Sequence, residues 1–308
     1  MPAEMASAIG NLRLLPLQEA CVRIGGLSLA LSGASSDEVR LSRELQAFQN
    51  FDENPDIEIE VEWVDQLQRL RSAPVFDSGA LWTLFLDGPE YIFDFTSAAF
   101  GFLPYKRLRA RSGFRKAHLI LSREALRNHQ PVFPLEYPTD ELMITNYLAS
   151  GVGVEVHGCG LVDSDTGGHL FLGHSGSGKS TTARIWETFR SPKILSDDRI
   201  ILRLHDGELW MYGTPWHGEA AFALPGKAKL NRIQILRHGS QNRFTALPQA
   251  RAVGEVFARC FPPFHSQTGL ERTLEFIKRA LDFVPCYEFE FRPDRSSVAA
   301  VLGSANHD

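Results

Sequence analysis

The sequence predicts an α/β protein in two parts: a β-rich N-terminal domain over residues 1–135 and a P-loop domain with a mixed sheet over residues 136–308. Three observations predict it. "DIEIEVEW" (56–63) alternates strictly between apolar and acidic residues, the pattern of a half-buried strand. Pro131, Pro134 and Pro138 crowd the chain just before Asp140, where a helical pattern begins, and the domain boundary is placed there. Beyond it, "LFLGHSGSGKSTTARIW" (170–186) runs from an apolar strand through a glycine loop into a helix.

Composition sets the limits. With 308 residues, 44% hydrophobic and 22% charged, the chain can bury a sizeable core. A net charge of −5 gives no global attraction to nucleic acid or to an anionic membrane, and neither is expected as a partner. No basic start followed by a long apolar run marks a secretory signal, and no stretch approaches the roughly 18 apolar residues of a membrane helix. Cys21, Cys159, Cys260 and Cys286 lie far apart without a CxxC pair, so reduced thiols in the cytoplasm are expected.

In chain order, "SSDEVRLSRELQAFQNF" (35–51) has helical spacing at Val39, Leu41, Leu45 and Phe48, with Ser36 and Asp37 as cap residues. Ile57, Ile59, Val61 and Trp63 share the buried face of the strand that follows. "ALWTLFLDGPEYIFDF" (80–95) reads as a hairpin about Asp87-Gly88-Pro89. "YKRLRARSGFRKAHLIL" (105–121) concentrates Lys106, Arg107, Arg109, Arg111, Arg115 and Lys116. It reads as a solvated hairpin face first, then as a docking surface for an acidic partner, and last as a nucleic-acid contact. "ELMITNYLASG" (141–151) is a helix closed by Gly151, "VGVEVHGCGLV" (152–162) is a strand, and "DSDTGG" (163–168) turns the chain into the strand before the loop. Further on, 248–261, 270–283 and 296–302 read as helices and "CYEFEF" (286–291) as a strand, with the helices expected on one side of the sheet.

Gly173, His174, Ser175, Gly176, Ser177, Gly178, Lys179 and Ser180 match G-x-x-x-x-G-K-[ST] at every fixed position. Glycines let consecutive N–H groups curl toward one anion, and the helix starting near Lys179 adds its positive end. Lys179 is expected on the β- and γ-phosphates and the Ser180 hydroxyl on Mg2+. One helix later, "PKILSDDRIILRL" (192–204) interrupts a strand pattern with Asp197-Asp198. Such a pair can divide two tasks, holding the metal and accepting a proton from an attacking hydroxyl.

With the loop, the "LSDD" and the preceding "VHGCGLV", the chain resembles the HPr kinase/phosphorylase family. That resemblance implies a phosphoenolpyruvate-carboxykinase-like fold, with a His-Gly pair (His157-Gly158) leading through a hairpin into the loop. It also implies ATP and Mg2+ as cofactors, with Gly173 to Thr181 binding nucleotide. Asp197 would be the base and Asp198 the metal ligand with Ser180, or the two roles exchanged. His157, by pattern alone a half-buried strand residue, would sit beside the carboxylates. Thr181 stands where the family carries an acidic residue, and the "ExRGxG" signature is replaced by "YGTPWHGEAAFALPGKAKL" (212–230). That segment and "VPCYEFEFRPD" (284–294) look more like the HPr-kinase-related proteins of peptide-modification gene clusters, of the SynChlorMet cassette or lasso-peptide kinase type. HPr itself is therefore not the expected acceptor. His217 or Glu219 is a candidate for a position near the metal or the acceptor hydroxyl, and Lys227 and Lys229 are candidates to meet the phosphoryl group.

The expected function is phosphorylation of a hydroxyl, serine first, on a peptide or small protein. Two alternatives stand beside it: a kinase for free serine or another metabolite, and a nucleotide-binding switch that transfers nothing. Assembly into a homo-oligomer is left open.

Overall fold

The computed structural model describes residues 19–34, 39–128 and 133–304. The first sheet contains β1 (Glu19–Ile24), β2 (Leu27–Gly33), β3 (Ile57–Val64), β4 (Phe76–Asp77), β5 (Trp82–Asp87), β6 (Glu90–Phe95), β7 (Lys106–Arg111) and β8 (Lys116–Ser122). Their order is β1-β2-β3-β8-β7-β6-β5-β4, and β3 lies parallel to both β2 and β8 while the other neighbours are antiparallel. The alternation of β3 is visible directly: Ile57, Ile59 and Val61 are buried, and Glu58, Glu60 and Glu62 face outward. Short helix α1 (Arg43–Gln46) lies between β2 and β3, and α2 (Arg123–Leu126) follows β8.

The helix expected over 35–51 shrinks to α1; Ser36 and Asp37 lie outside the described residues. Ser42 caps it, accepting from the Leu45 N–H. Val39, Leu41, Leu45 and Phe48 are nonetheless all buried. The reason is pairing: Arg23 N–H donates to Phe48 O and Asn50 N–H to Cys21 O, so the chain after α1 runs along β1 as an extra edge. Sheet hydrogen bonds override a helical spacing that is only a weak preference.

The basic hairpin β7–β8 is neither free nor uniformly exposed. Arg107 pairs with Asp94, Arg109 with Glu90 and Lys116 with Glu58, all across neighbouring strands. Lys106 is buried and donates to Pro134 O, 3.0 Å away, and to Glu136. The charge seen in sequence is largely spent on adjacent carboxylates, which leaves little for an acidic partner.

The second sheet is built from β9 (Val154–Asp163), β10 (Gly167–Leu172), β11 (Lys193–Ser196), β12 (Arg199–His205), β13 (Glu208–Tyr212), β14 (Lys227–His238), β15 (Arg243–Ala246) and β16 (Cys286–Phe291). The helices are α3 (Thr139–Leu148), α4 (Lys179–Arg190), α5 (Gln249–Phe257), α6 (Gln267–Ala280) and α7 (Arg295–Ser304). The sheet is mixed: β9–β10 is an antiparallel hairpin, while β14 is parallel to β10 and to β16. The pairings β10–β9–β12–β13–β14–β10 close on themselves.

Alternation along β10 sends Leu170 and Leu172 into one core with Val256 of α5 and Phe276 of α6. Phe171 goes into another with Trp186 of α4 and Val298 of α7. Helices therefore cover both faces, not one, because both faces of β10 are apolar. On α4, Ala183 and Trp186 are buried as the spacing requires, but Phe189 is 45% exposed. Helix α3, counted with the second part by the proline boundary, sends Leu142, Met143 and Tyr147 into the first core, where Ile201, Tyr212 and Trp216 join them. Among the described residues no helix is long and apolar enough to cross a membrane.

Candidate active site

β10 delivers the chain into the glycine loop and α4 leads it away. Gly176 has φ +78° and Gly178, the residue before α4, has φ +99°, conformations that a side chain would strain. A Cβ on Gly173 would lie 1.9 Å from Ser177 Oγ, and one on Gly178 would lie 2.6 Å from the Phe291 ring. The loop is thus closed tightly on itself and on β16. His174, Ser175 and Gly176 form its exposed crest. Lys179 is buried at its base, donating to Gly173 O and His174 O at 3.1 Å each. Burial lowers the pKa of its ammonium, with Asp198 and Asp197 opposing that shift. Ser177 Oγ is buried inside the loop without a hydrogen-bond partner. Thr181 is exposed on the first turn of α4, and Thr182 is the residue that bonds back to Gly178 O.

The two aspartates sit where β11 ends and β12 begins, at the break that lets neighbouring residues serve one site. Asp197 is fully buried. Its Oδ2 accepts from Ser180 Oγ and from Ala220 N–H at 3.0 Å; its Oδ1 accepts from the N–H groups of Gly218, at 3.0 Å, and Phe222, at 3.2 Å. Asp198 is the accessible member, with 24% of its side chain exposed. It meets His157 Nε2 at 3.0 Å and Arg199 Nε at 3.2 Å. His157 is fixed from behind, its N–H donating to Arg259 O at 2.7 Å.

The segment 213–222 reaches this site with its backbone. His217 is exposed and contacts its own neighbour Gly218 O, and the Glu219 carbonyl accepts from Arg184. Neither side chain bonds to Asp197; three amides of the segment do. Trp216 anchors the segment, its Nε1 donating to Asp140 Oδ2 at 2.9 Å. Lys229 pairs with Glu208 and Lys227 lies over the Trp210 ring at 4.6 Å, so both are engaged on the β13–β14 edge rather than at the aspartates.

Arg199 joins the site without a sequence motif to mark it. It contacts Glu141, Glu155 and Asp198 and stacks 4.1 Å from the centre of the Phe261 ring. Its only local signal is a charge opening an apolar strand directly after the Asp pair. Asp140 and Glu155 are also buried here, and burial raises both carboxyls, Asp140 to about 6 and Glu155 well above its ordinary range.

Two cavities lie near the site, one at the loop and one at the Asp pair. One, of about 560 Å3, is lined by His174 of the loop with Arg237, Arg251 and Arg259. The other, of about 460 Å3, opens at Asp198 and Arg199 and is walled on its far side by Ser42, Glu44 and Leu45 of the first part. A magnesium ion needs only one or two protein oxygens beside phosphate and water oxygens. The Ser180 hydroxyl oxygen, oriented by its 3.0 Å bond to the buried Asp197, is such a donor. Among the described residues no group of three His, Cys, Asp or Glu side chains forms a metal cage of its own.

No family model matches the chain, and no curated protein matches it. Among solved structures it is similar to the HPr(Ser) kinase/phosphatase from Coxiella burnetii, with 14% identity and a TM-score of 0.30. That match covers 50% of this chain and 89% of the other. At that score the likeness transfers neither fold nor activity, and the site's own geometry decides what it can do.

Proposed function

We propose that the protein is an ATP- and Mg2+-dependent kinase that phosphorylates a hydroxyl group. The observation that carries this reading is the division of labour in the Asp pair. Asp197 is locked to the Ser180 hydroxyl of the glycine loop, whereas Asp198 faces a cavity of acceptor size. A loop built for phosphate, a metal-side carboxylate and a second carboxylate at an open cavity are the parts phosphoryl transfer requires. The β9–β10 hairpin into the loop supports a phosphoenolpyruvate-carboxykinase-like arrangement for residues 136–308.

In this mechanism the loop amides and Lys179 hold the triphosphate, and the arginine-lined cavity beside His174 is the side that tolerates its charge. Ser180 would hold Mg2+ beside phosphate and water oxygens, with Asp197 orienting its hydroxyl, and the ion would supply charge neutralisation to the phosphates. The roles of the two aspartates are then exchanged relative to the first order considered: Asp198 is the base and Asp197 the metal-side residue. Asp197 has its lone pairs committed to four donors, while Asp198 keeps an open side. His157 orients Asp198 through its 3.0 Å contact. The acceptor oxygen bonds to the γ-phosphorus as the bond to the bridging oxygen breaks. ADP leaves with that electron pair, and the hydroxyl proton passes to Asp198.

Serine on a peptide or small protein is the acceptor the sequence favours. The cavity lies within the roughly 300–1,000 Å3 of small-ligand sites, so a free metabolite fits it as well. The test is incubation with γ-labelled ATP and Mg2+, wild type beside Lys179→Ala. Label on a hydroxyl acceptor that disappears in the variant is the expected result. Tight ATP binding with neither transfer nor hydrolysis across peptides, proteins and amino acids would overturn the kinase in favour of a nucleotide switch.

A further inference from the structure

The cavity at the loop and the cavity at Asp198 differ in charge. At the His174 side stand three arginines against Glu255 and Glu288, with which they pair, so one positive charge is left over, and Arg259, only 4% exposed, has its Nε buried without a hydrogen-bond partner. That is the side better suited to an anion. At the Asp198 side the walls carry Glu44, Glu136, Asp140 and Asp198. The cations facing them do not balance these charges. Arg199 is already shared by Glu141, Glu155 and Asp198, and His157 meets Asp198 alone. Lys106 serves Glu136 from within the core, and His217 at the rim contacts a carbonyl. A polyphosphate is repelled from this opening, so it belongs to the second substrate.

These carboxylates stand on separate elements, and what lies between them decides which cation they suit. The wall between them is aromatic: Tyr137, 53% exposed, with Phe133 and Trp216. Carboxylates and ring faces together form the environment that selects an ammonium or guanidinium group. The elements supplying it are far apart in sequence. Glu44 comes from α1 of the first part, Glu136 and Asp140 from the approach to α3 and its first turn, and Asp198 from the β11–β12 break. The first part of the chain therefore forms one wall of the acceptor site.

We infer that the acceptor is a hydroxyl compound carrying a positive charge beside its hydroxyl, either a free amino alcohol or a serine flanked by basic residues, held in the Glu44–Glu136–Asp198 cavity. This rests on the kinase reading above and adds the chemical class of its substrate. The hydroxyl lies toward Asp198 and the cation toward Glu44 and Glu136.

The experiment offers γ-labelled ATP with acceptors matched in size and differing in charge. Ethanolamine and serinol are set against ethylene glycol, glycerol and glycerate. Hexapeptides with one serine flanked by Arg, Ala or Glu form the second arm. The expected result is labelling of the cationic members at least tenfold faster than of their neutral counterparts, with the anionic ones slowest. Glu44→Gln and Glu136→Gln, checked for intact folding by their thermal midpoints, should shrink that preference, and Glu44→Lys should reverse it. Labelling of amino alcohols alone would assign a small-molecule acceptor; labelling of the Arg peptides would assign a chain segment. Transfer that ignores charge, or prefers the anionic members, would overturn the cationic acceptor and leave the kinase standing. No label on any acceptor, with ATP still bound, would overturn the kinase and the acceptor class together.

Discussion

Replacing Asp197 by Asn leaves one oxygen to serve the Ser180 hydroxyl and the amides of Gly218, Ala220 and Phe222, and sets an NH2 against two of these donors. Each buried donor left unpaired costs about 1–3 kcal/mol, so a clearly lower thermal midpoint is expected. Asp198→Asn removes a partly exposed carboxylate with two side-chain partners, and its midpoint should stay close to wild type. Its phosphoryl transfer should fall about 100-fold or more, the usual worth of a positioned base. Differential scanning fluorimetry and label transfer, run on both variants, separate the two roles. An Asp198→Asn enzyme that transfers at the wild-type rate would show that the proton goes elsewhere. The position of this pair was legible in sequence, as a double carboxylate breaking a strand one helix after the loop. Its division was not, because the groups that enclose Asp197 are backbone amides of a later segment. An amide has no side-chain signature, whereas His217 and Glu219 of the same segment do.

The same contrast holds for whole elements. Strands joined by short turns, such as β5–β6 and β9–β10, were readable because pattern and turn lie within a few residues of each other. The helix expected over 35–51 was lost to β1, a partner that local spacing cannot reveal. The glycine loop is the most legible element, and its glycines are not equivalent. Gly176 has a positive φ with open space around it, so Gly176→Ala carries backbone strain alone, about 1–2 kcal/mol. Gly178 has a positive φ and also abuts Phe291 of β16, so a methyl there must push the ring or the start of α4 aside. Gly178→Ala should therefore lose both stability and nucleotide binding, while Gly176→Ala stays folded and loses affinity. Chemical denaturation beside a titration with a fluorescent ATP analogue reads both quantities. Equal effects at the two positions would mean that β16 does not brace the loop.

At the scale of the whole molecule, side chains of the second part reach into the first part's territory and tie the two together. Arg203 of β12 donates to Gly25 O and Gly26 O in the β1–β2 turn, and Trp216 holds Asp140. His265, between α5 and α6, lies among Phe76, Trp82, Tyr91 and Phe93 of the first sheet, with ring centres 5.9–6.4 Å away. Its Nε2 is buried without a hydrogen-bond partner, and burial lowers its pKa to about 4. The unfolded chain has this group near 6.5, so above that pH both states are neutral and no stability is at stake. As pH falls from 6.5 toward 4 the unfolded chain takes up a proton that the folded one refuses, and stability is lost. Discounted for partial exposure of the ring, the loss amounts to about 1–2 kcal/mol. Asp140, raised to about 6, acts in the opposite sense over much of that window, so the wild-type pH profile alone does not isolate the histidine. His265→Phe does: it keeps a ring among rings and removes the unpartnered nitrogen. Its gain over wild type in urea unfolding should be larger at pH 5 than at pH 7.5. A gain independent of pH would mean that the imidazole titrates in the folded protein as it does in the unfolded chain, and that the aromatic junction does not exclude its charge.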